Sequence, residues 1–319
     1  MALLEVKNLK KYYPVYNGIF KKAKSYVKAV DDVSFSIEQG ETLGLVGESG
    51  CGKTTIGKTV LRLVEPTDGS ISLEGKDIVS LNKKELRQER KNMQMIFQDP
   101  YSSMNPQMTV QRLVDEPLRE FGIVSRGESQ ERVAQILHTV GLSPSDMNKY
   151  LHEFSGGQRQ RIMIARALAA NPKLIVCDEP VSALDVSIQA QILNLMQKLQ
   201  EDMGISYLFI AHGMPVVRHI SNKVGVMYLG KLVETGDSET IFSHSAHPYT
   251  KALISAIPAP DPRRNSQRIV LEGEVGSGTP AAGCLFCDRC PKCKPICREV
   301  VPELKPVSNG QMVACHFPD

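Results

Sequence analysis

No stretch of the 319 residues approaches the ~18 consecutive apolar residues that a membrane-spanning helix needs. The start of the chain, Met1 to Lys11, alternates apolar and polar residues like a strand and lacks the apolar core of a signal peptide. A cytosolic chain is the expectation, with docking on membrane proteins left open. Charge of one sign is also missing: 38 Lys and Arg against 35 Asp and Glu leave +3, too little to argue for nucleic acid. No internal repeat is found, and cysteine is scarce before residue 284. Only Cys51 and Cys177 occur there, read as small buried hydrophobes rather than reactive thiols. What remains is ordinary for a soluble globular protein, 42% hydrophobic and 23% charged. The length suggests about two domains.

Against that background one stretch stands out. Gly47-Glu48-Ser49-Gly50-Cys51-Gly52-Lys53-Thr54 reads G-x-x-x-x-G-K-[ST], a phosphate-binding loop. The short apolar run Thr42 to Val46 precedes it as a candidate buried strand. Thr55 to Leu63 follows with apolar residues at helical spacing. Strand, glycine loop and helix together aim backbone N–H groups and the positive helix end at one anion. In that frame Lys53 reaches the β- and γ-phosphates and the Thr54 hydroxyl binds Mg²⁺. A mere glycine turn would not need both flanks.

Leu3 to Asn8 and Val27 to Ile37 alternate as half-buried strands, and Asn17 to Ser25 reads as an insertion loop. Lys10 to Pro14 is basic and aromatic; it is either a surface turn or a segment that stacks on adenine. Pro66 to Gly69 and Gly75 to Asp77 are turn signals around a short strand, Ser70 to Leu73. Lys83 to Lys91 is helical in composition, and Asn92 to Phe97 is strand-like, ending at Gln98. Val110 to Phe121 and Gln130 to Val140 carry helical spacing, which makes a helical insert of about 50 residues between two α/β halves.

Phe154-Ser155-Gly156-Gly157-Gln158 precedes a strong helix, Arg159 to Ala170. Ser155 is a natural cap, and the glycines leave N–H groups available at a helix start. Leu174 to Cys177 is a buried-strand run ending in Asp178-Glu179, two acids at the edge where open α/β sheets bind ligands. One acid suits Mg²⁺ and the second an attacking water; the plainer reading is a solvated acidic turn. Ser182 to Asp185 opens a helix from Val186 to Met203, and a strand from Ile205 to Ala211 ends at His212. A lone histidine is either structural or, at that strand end, functional. Lys223 to Leu229 and Lys231 to Glu234 read as a hairpin around Gly230, and Pro258 to Pro262 is the best domain boundary.

Six of the eight cysteines, Cys284, Cys287, Cys290, Cys293, Cys297 and Cys315, crowd the end of the chain. In a cytosolic chain that crowding favours metal or cluster ligation over disulfides.

These motifs, taken in order, resemble the ATPase subunit of an ABC transporter. Lys53-Thr54, Gln98 of the Q-loop, the LSGGQ-like signature Phe154 to Gln158, Leu174 to Glu179, the D-loop Ser182 to Asp185 and the switch histidine His212 all carry the resemblance. Phe97 to Pro106, His247-Pro248-Tyr249-Thr250-Lys251-Ala252-Leu253 and the insertion Asn17 to Tyr26 narrow it to the second ATPase subunit of oligopeptide and dipeptide importers. Two departures are Gly213, where an acidic residue usually follows the histidine, and the extra Cys287 and Cys293. The extra cysteines create a ferredoxin-like run that lacks its trailing proline.

The resemblance implies an α/β P-loop NTPase with a RecA-like core, an antiparallel β subdomain, a helical insert and a small cysteine-rich C-terminal extension. It implies an ATPase domain over 1–257, with the helical subdomain at about 101–165, and an extension over 258–319. ATP would be held by Tyr13, Gly47, Ser49, Gly50, Cys51, Gly52, Lys53, Thr54 and Thr55 of one chain. Ser155, Gly156, Gly157, Gln158 and Asp185 of another would close over it in a head-to-tail dimer. Thr54, Gln98 and Asp178 would serve Mg²⁺; Glu179, His212 and Gln98 would be catalytic. Cys284, Cys290, Cys297 and Cys315 would hold a 4Fe-4S cluster, with Cys287 and Cys293 as alternates, zinc as the rival metal and disulfides third. The implied partners are a similar ATPase subunit, two membrane permease subunits and, indirectly, an extracytoplasmic peptide-binding protein, at the cytoplasmic face of a prokaryotic membrane and without nucleic acid. Nickel or opine-like cargo, or a soluble ATPase acting on nucleic acid or ribosomes, are the alternatives.

Overall fold

The alternation at the start of the chain becomes two long neighbouring strands, β1 (Leu4–Tyr16) and β2 (Ala23–Ile37). The computed structural model describes residues 2–16, 23–125, 127–257, 268–273 and 282–319. After β2 come β3 (Thr42–Val46), α1 (Lys53–Val60), β4 (Asp68–Leu73), β5 (Lys76–Asp77), α2 (Lys83–Glu89) and β6 (Met93–Ile96). Helices α3 (Pro100–Ser103), α4 (Val110–Glu120), α5 (Ser129–Thr139) and α6 (Gly156–Leu168) lead to β7 (Leu174–Asp178), α7 (Val186–Met203) and β8 (Ser206–Ile210). The rest is α8 (Met214–Ile220), β9 (Lys223–Tyr228), β10 (Lys231–Asp237), α9 (Ser238–Ser243), α10 (Pro248–Ser255), α11 (Pro295–Glu299), β11 (Lys305–Pro306) and β12 (Met312–Val313).

Two units emerge. The first comprises Met1–Glu5, Ser36–Thr42 and Ser72–Ile210. In it β6, β7 and β8 run parallel, in registers that set Ile96 beside Cys177 and Asp178 beside Ile210. Every residue of β7 and β8 is buried, as expected of parallel strands covered on both faces. The helical insert follows its own 3.6-residue period: Val110, Leu113, Val114 and Leu118 of α4 and Val133, Ile136 and Leu137 of α5 are buried.

The second unit comprises Val6–Phe35, Leu43–Ile71 and Ala211–Asp319. Here β3 lies parallel to β9, with Val46 beside Val226, and β9 folds back antiparallel onto β10. Gly230 makes that turn at φ +83°, where a Cβ would sit 2.7 Å from the Lys28 carbonyl oxygen. The cysteine-rich end does not hang free of this sheet: β12 pairs antiparallel with β10, and β11 with β12.

The structure moves several boundaries. Lys10 to Pro14, read as a possible turn, lies within β1. Thr67 donates to the Lys10 carbonyl, so the pairing with β4 ends before Pro14, and the missing N–H costs no bond on that side. Asp68-Gly69 opens β4 rather than turning into it, and Lys76-Asp77 pairs with the end of β4. Helix α6 begins at Gly156, three residues earlier than its apolar pattern, because the Ser155 cap fixes the first turn. Of the expected insertion loop, Ala23 to Ser25 already belongs to β2, whereas 17–22 lies outside the described residues. The proline-rich boundary, Pro258 to Pro262, also lies outside them.

Candidate functional site

In the second unit the fully buried β3 delivers the chain into the glycine loop and α1. Gly52 caps α1 in a left-handed conformation, φ +105°, and a Cβ there would meet the Ala29 carbonyl oxygen at 2.0 Å. Only glycine fits both conditions. The cap is a glycine, so no cap side chain takes an N–H of the first turn of α1. Lys53 is 4% exposed. Its Nζ donates to the carbonyls of Gly47 at 2.7 Å and Glu48 at 3.0 Å, bending the loop around the ammonium. Ser49 and Gly50 form the exposed tip, and Thr54 and Thr55 lie half-buried in the first turn of α1. Cys51 is buried, which pushes its thiol pKa up and leaves it an apolar filler. Tyr13 is 38% exposed on β1, with the Lys11 ammonium 4.9 Å from its ring centre. His212 is exposed, just before α8.

The first unit carries the other motifs. Asp178 and Glu179 end β7 and are both buried. Glu179 adopts φ +51°, a left-handed conformation that costs a non-glycine residue about 1 kcal/mol or more. It is held there from several sides: its N–H donates to the Ile210 carbonyl at 2.9 Å, and Gln98 Nε2 donates to its Oε2 at 2.8 Å. Ser182 Oγ donates to its carbonyl at 3.0 Å. Strand end, Q-loop and D-loop thus converge on one residue, with Gln98 on its carboxylate and the other two on its backbone.

At the start of α6, Gln158 N–H donates to Ser155 Oγ at 3.4 Å, and Ser155 N–H donates back to Gln158 Oε1 at 3.0 Å. Gly157 packs so closely on α7 that a Cβ would lie 2.6 Å from Ile188 Cγ2. Gln98, Gly156 and Leu184 line a common cavity of about 200 Å³ with Tyr101 and Arg159. Asp185 is exposed at the N-cap of α7.

The tail corrects one expectation. Cys287 and Cys293, the alternate cluster ligands, form a disulfide with an S–S distance of 2.08 Å, which breaks the ferredoxin-like run. Cys284, Cys290, Cys297 and Cys315 are free and line a second cavity with His247, Phe286 and Phe317. Burial raises the Cys284 thiol to about 11 and also raises those of Cys290 and Cys315. Among the described residues no group of three or more His, Cys, Asp or Glu side chains is spaced to hold a metal ion. The donor chemistry therefore suits a thiolate-bound metal, whereas the spacing of the four thiols here does not. Among the described side chains, the sequence reading gave no role to Arg289 and Tyr249, both of which touch the phosphate loop. The only signal was His247-Pro248-Tyr249, a stretch noticed for its resemblance alone.

The ABC transporter family profile matches residues 30–182, and that of the oligopeptide/dipeptide transporter C-terminal region matches 233–297. The oligopeptide transport ATP-binding protein AppF of Bacillus subtilis is 52% identical over 320 residues, 99% of this chain and 97% of that protein. A probable peptide ABC transporter ATP-binding protein, y4tS of Sinorhizobium fredii, is 51% identical, over 99% of this chain and 90% of that one. Among solved structures, the dimeric ATP-binding cassette MJ0796 bound to ADP and Pi superposes with a TM-score of 0.65 at 28% identity. It covers 74% of this chain and 98% of its own. CbiO1 of Clostridium perfringens, part of an ABC transporter complex, gives 0.65 at 26% identity over 76% and 91%. With a P-loop α/β fold, the acid pair at the end of β7 and relatives matched along almost its whole length, the chain belongs to the ABC transporter family of ATPases, in the branch that carries the oligopeptide/dipeptide transporter C-terminal region.

Proposed function

We propose that this chain hydrolyses ATP to energise peptide uptake through a membrane importer. The observation that carries the ATPase chemistry is the buried Glu179, held in a left-handed conformation with Gln98 on its carboxylate. Lys53 and the N–H groups of the loop bind the β- and γ-phosphates. Thr54 and Asp178 serve Mg²⁺, which supplies charge neutralisation on the phosphates. Glu179 orients or deprotonates the attacking water, and His212 holds the γ-phosphate. Tyr13 stacks on adenine. Positioning and charge stabilisation provide most of the rate in such transfers. Peptide cargo is supported by relatives whose names specify peptide or oligopeptide transport.

In this reading residues 1–257 form the ATPase body, and two ATPase subunits pair head to tail. Ser155, Gly156, Gly157, Gln158 and Asp185 of one face the nucleotide of the other, and the second subunit is a homologue rather than a copy. The Q-loop at Gln98 meets membrane permease subunits at the cytoplasmic face, and a peptide-binding protein outside supplies the cargo. The finer reading of the extension is a 4Fe-4S cluster on Cys284, Cys290, Cys297 and Cys315, whose free thiols are the right donor type but would have to draw together to hold it.

The assembled transporter tests the central claim. Glu179→Gln should retain Mg-ATP binding and lose about 100-fold or more of turnover, the scale of a lost general base. Near-normal turnover would remove Glu179 from its role. Peptide uptake by a deletion strain, restored by the wild-type gene and not by Glu179→Gln, tests the cargo. For the tail, iron and sulfide analysis of anaerobically prepared protein should return both; zinc without iron would overturn the cluster.

A further inference from the structure

Glu48, the second residue of the phosphate loop, is held at three points. Its N–H donates to the Tyr249 hydroxyl oxygen at 2.9 Å. Its carboxylate receives both terminal nitrogens of Arg289, Nη1 to Oε2 at 2.6 Å and Nη2 to Oε1 at 3.0 Å. Its carbonyl accepts from Lys53 Nζ at 3.0 Å. A planar guanidinium matched to both carboxylate oxygens fixes direction as well as distance, which a lysine cannot do.

Arg289 is itself anchored. It ends the single helical turn Cys287–Arg289, and its N–H donates to the Phe286 carbonyl at 3.1 Å. Phe286 is 1% exposed. Its ring packs 5.3 Å from that of Tyr228 and 5.4 Å from that of Tyr249, centre to centre. The Arg289 side chain is 10% exposed and that of Glu48 27%, so water screens this pair less than an ordinary surface bridge. Arg298, the next arginine of the tail, makes an exposed pair with Asp288.

We infer that Arg289 is a positioning residue for the ATPase reaction: through Glu48 it fixes the carbonyl that holds the Lys53 ammonium, so the cysteine-rich tail sets the affinity of the phosphate loop for the triphosphate. The inference rests on the proposed role of Lys53. A tail that only stabilised the fold would leave nucleotide affinity unchanged in protein that stays folded.

The test is Mg-ATP binding to the full-length chain by titration calorimetry, with thermal melting of each variant to score folding. Arg289→Ala should weaken binding about 10-fold or more, the scale of a lost buried charge-assisted bond. Arg289→Lys should fall between it and wild type. Glu48→Ala combined with Arg289→Ala should lose little beyond either alone, because the two act as one pair. Arg298→Ala should bind normally. If Arg289→Ala does not fold, Arg289→Lys and Glu48→Gln carry the test. Binding within about 2-fold of wild type in all folded variants of the pair would overturn the inference. So would equal losses in Arg298→Ala, or fully additive losses in the double variant. Lys53→Ala separates the two claims: unchanged binding there would overturn the loop assignment itself, whereas lost binding with an indifferent Arg289 would overturn only the role of the tail.

Discussion

Helices α1 and α6 both begin at glycine-rich polar turns, yet their first turns are completed differently. At α1 the cap is a left-handed glycine, which has no side chain to bond the first turn. At α6 a serine caps the helix and Gln158 returns the bond, so two backbone donors, the N–H groups of Gln158 and Ser155, are already used by the protein. The first arrangement is a cradle made of backbone, useful for an anion that needs many donors at once. The second offers a capped end, with part of its donor set already bonded by its own side chains. A third start shows another solution: His247 caps α10, its Nδ1 accepting from the Tyr249 N–H at 3.1 Å.

The cradle should be the least tolerant of change. Gly52→Ala places a Cβ against backbone at 2.0 Å and demands φ +105°. A loss of about 3 kcal/mol or more, or outright misfolding, is expected by thermal denaturation, together with loss of ATP binding. A stable, ATP-binding Gly52→Ala would erase the contrast between the two helix starts.

The histidine cap should show itself through acid. Burial lowers the His247 pKa from 6.5 to about 4. The folded state resists a proton that the unfolded chain accepts, so this contribution to stability is full above pH 6.5 and is lost as pH falls toward 4. The loss approaches about 3 kcal/mol. Glu234, which accepts from the N–H groups of Ala246 and His247, is raised by burial and works in the opposite sense: its contribution is present at low pH and is lost as pH rises through its folded value. Comparing His247→Gln with wild type across pH 4–7 isolates the histidine, and the variant should lose less stability on acidification.

Smaller effects belong to α6. Gly157→Ala pushes a methyl toward Ile188 Cγ2, the end of a side chain that can shift, so a loss of about 1–3 kcal/mol is expected, partly recovered by Ile188→Ala. Ser155→Ala removes the cap and should lower stability by about 1 kcal/mol, read by chemical denaturation. An effect of Ser155→Ala on the folded chain as large as that of Gly52→Ala would mean that the two turns are built alike.

Much of this was legible in residue order. The strand, loop and helix around Lys53, the run of apolar residues into Asp178-Glu179 and the helix Val186 to Met203 with its Gly204 stop all follow from local periodicity and turn chemistry. The reading faltered where neighbours override local signals. Pro14 reads as a turn, but it falls where β1 has passed the end of its β4 pairing. The spacing of Cys287 and Cys293 reads as a ligand ladder, but a tight turn brings their sulfurs together.

Sequence by itself determined which backbone segments could be strand, glycine cradle or helix, because those choices depend on residues within a few positions of one another. Tertiary structure alone decided that Arg289, 241 residues from Glu48, would grip the phosphate loop, and that Gln98 would meet Glu179. Such pairings depend on which strand ends and loops the sheets bring into reach, and no local pattern along the chain encodes that distance.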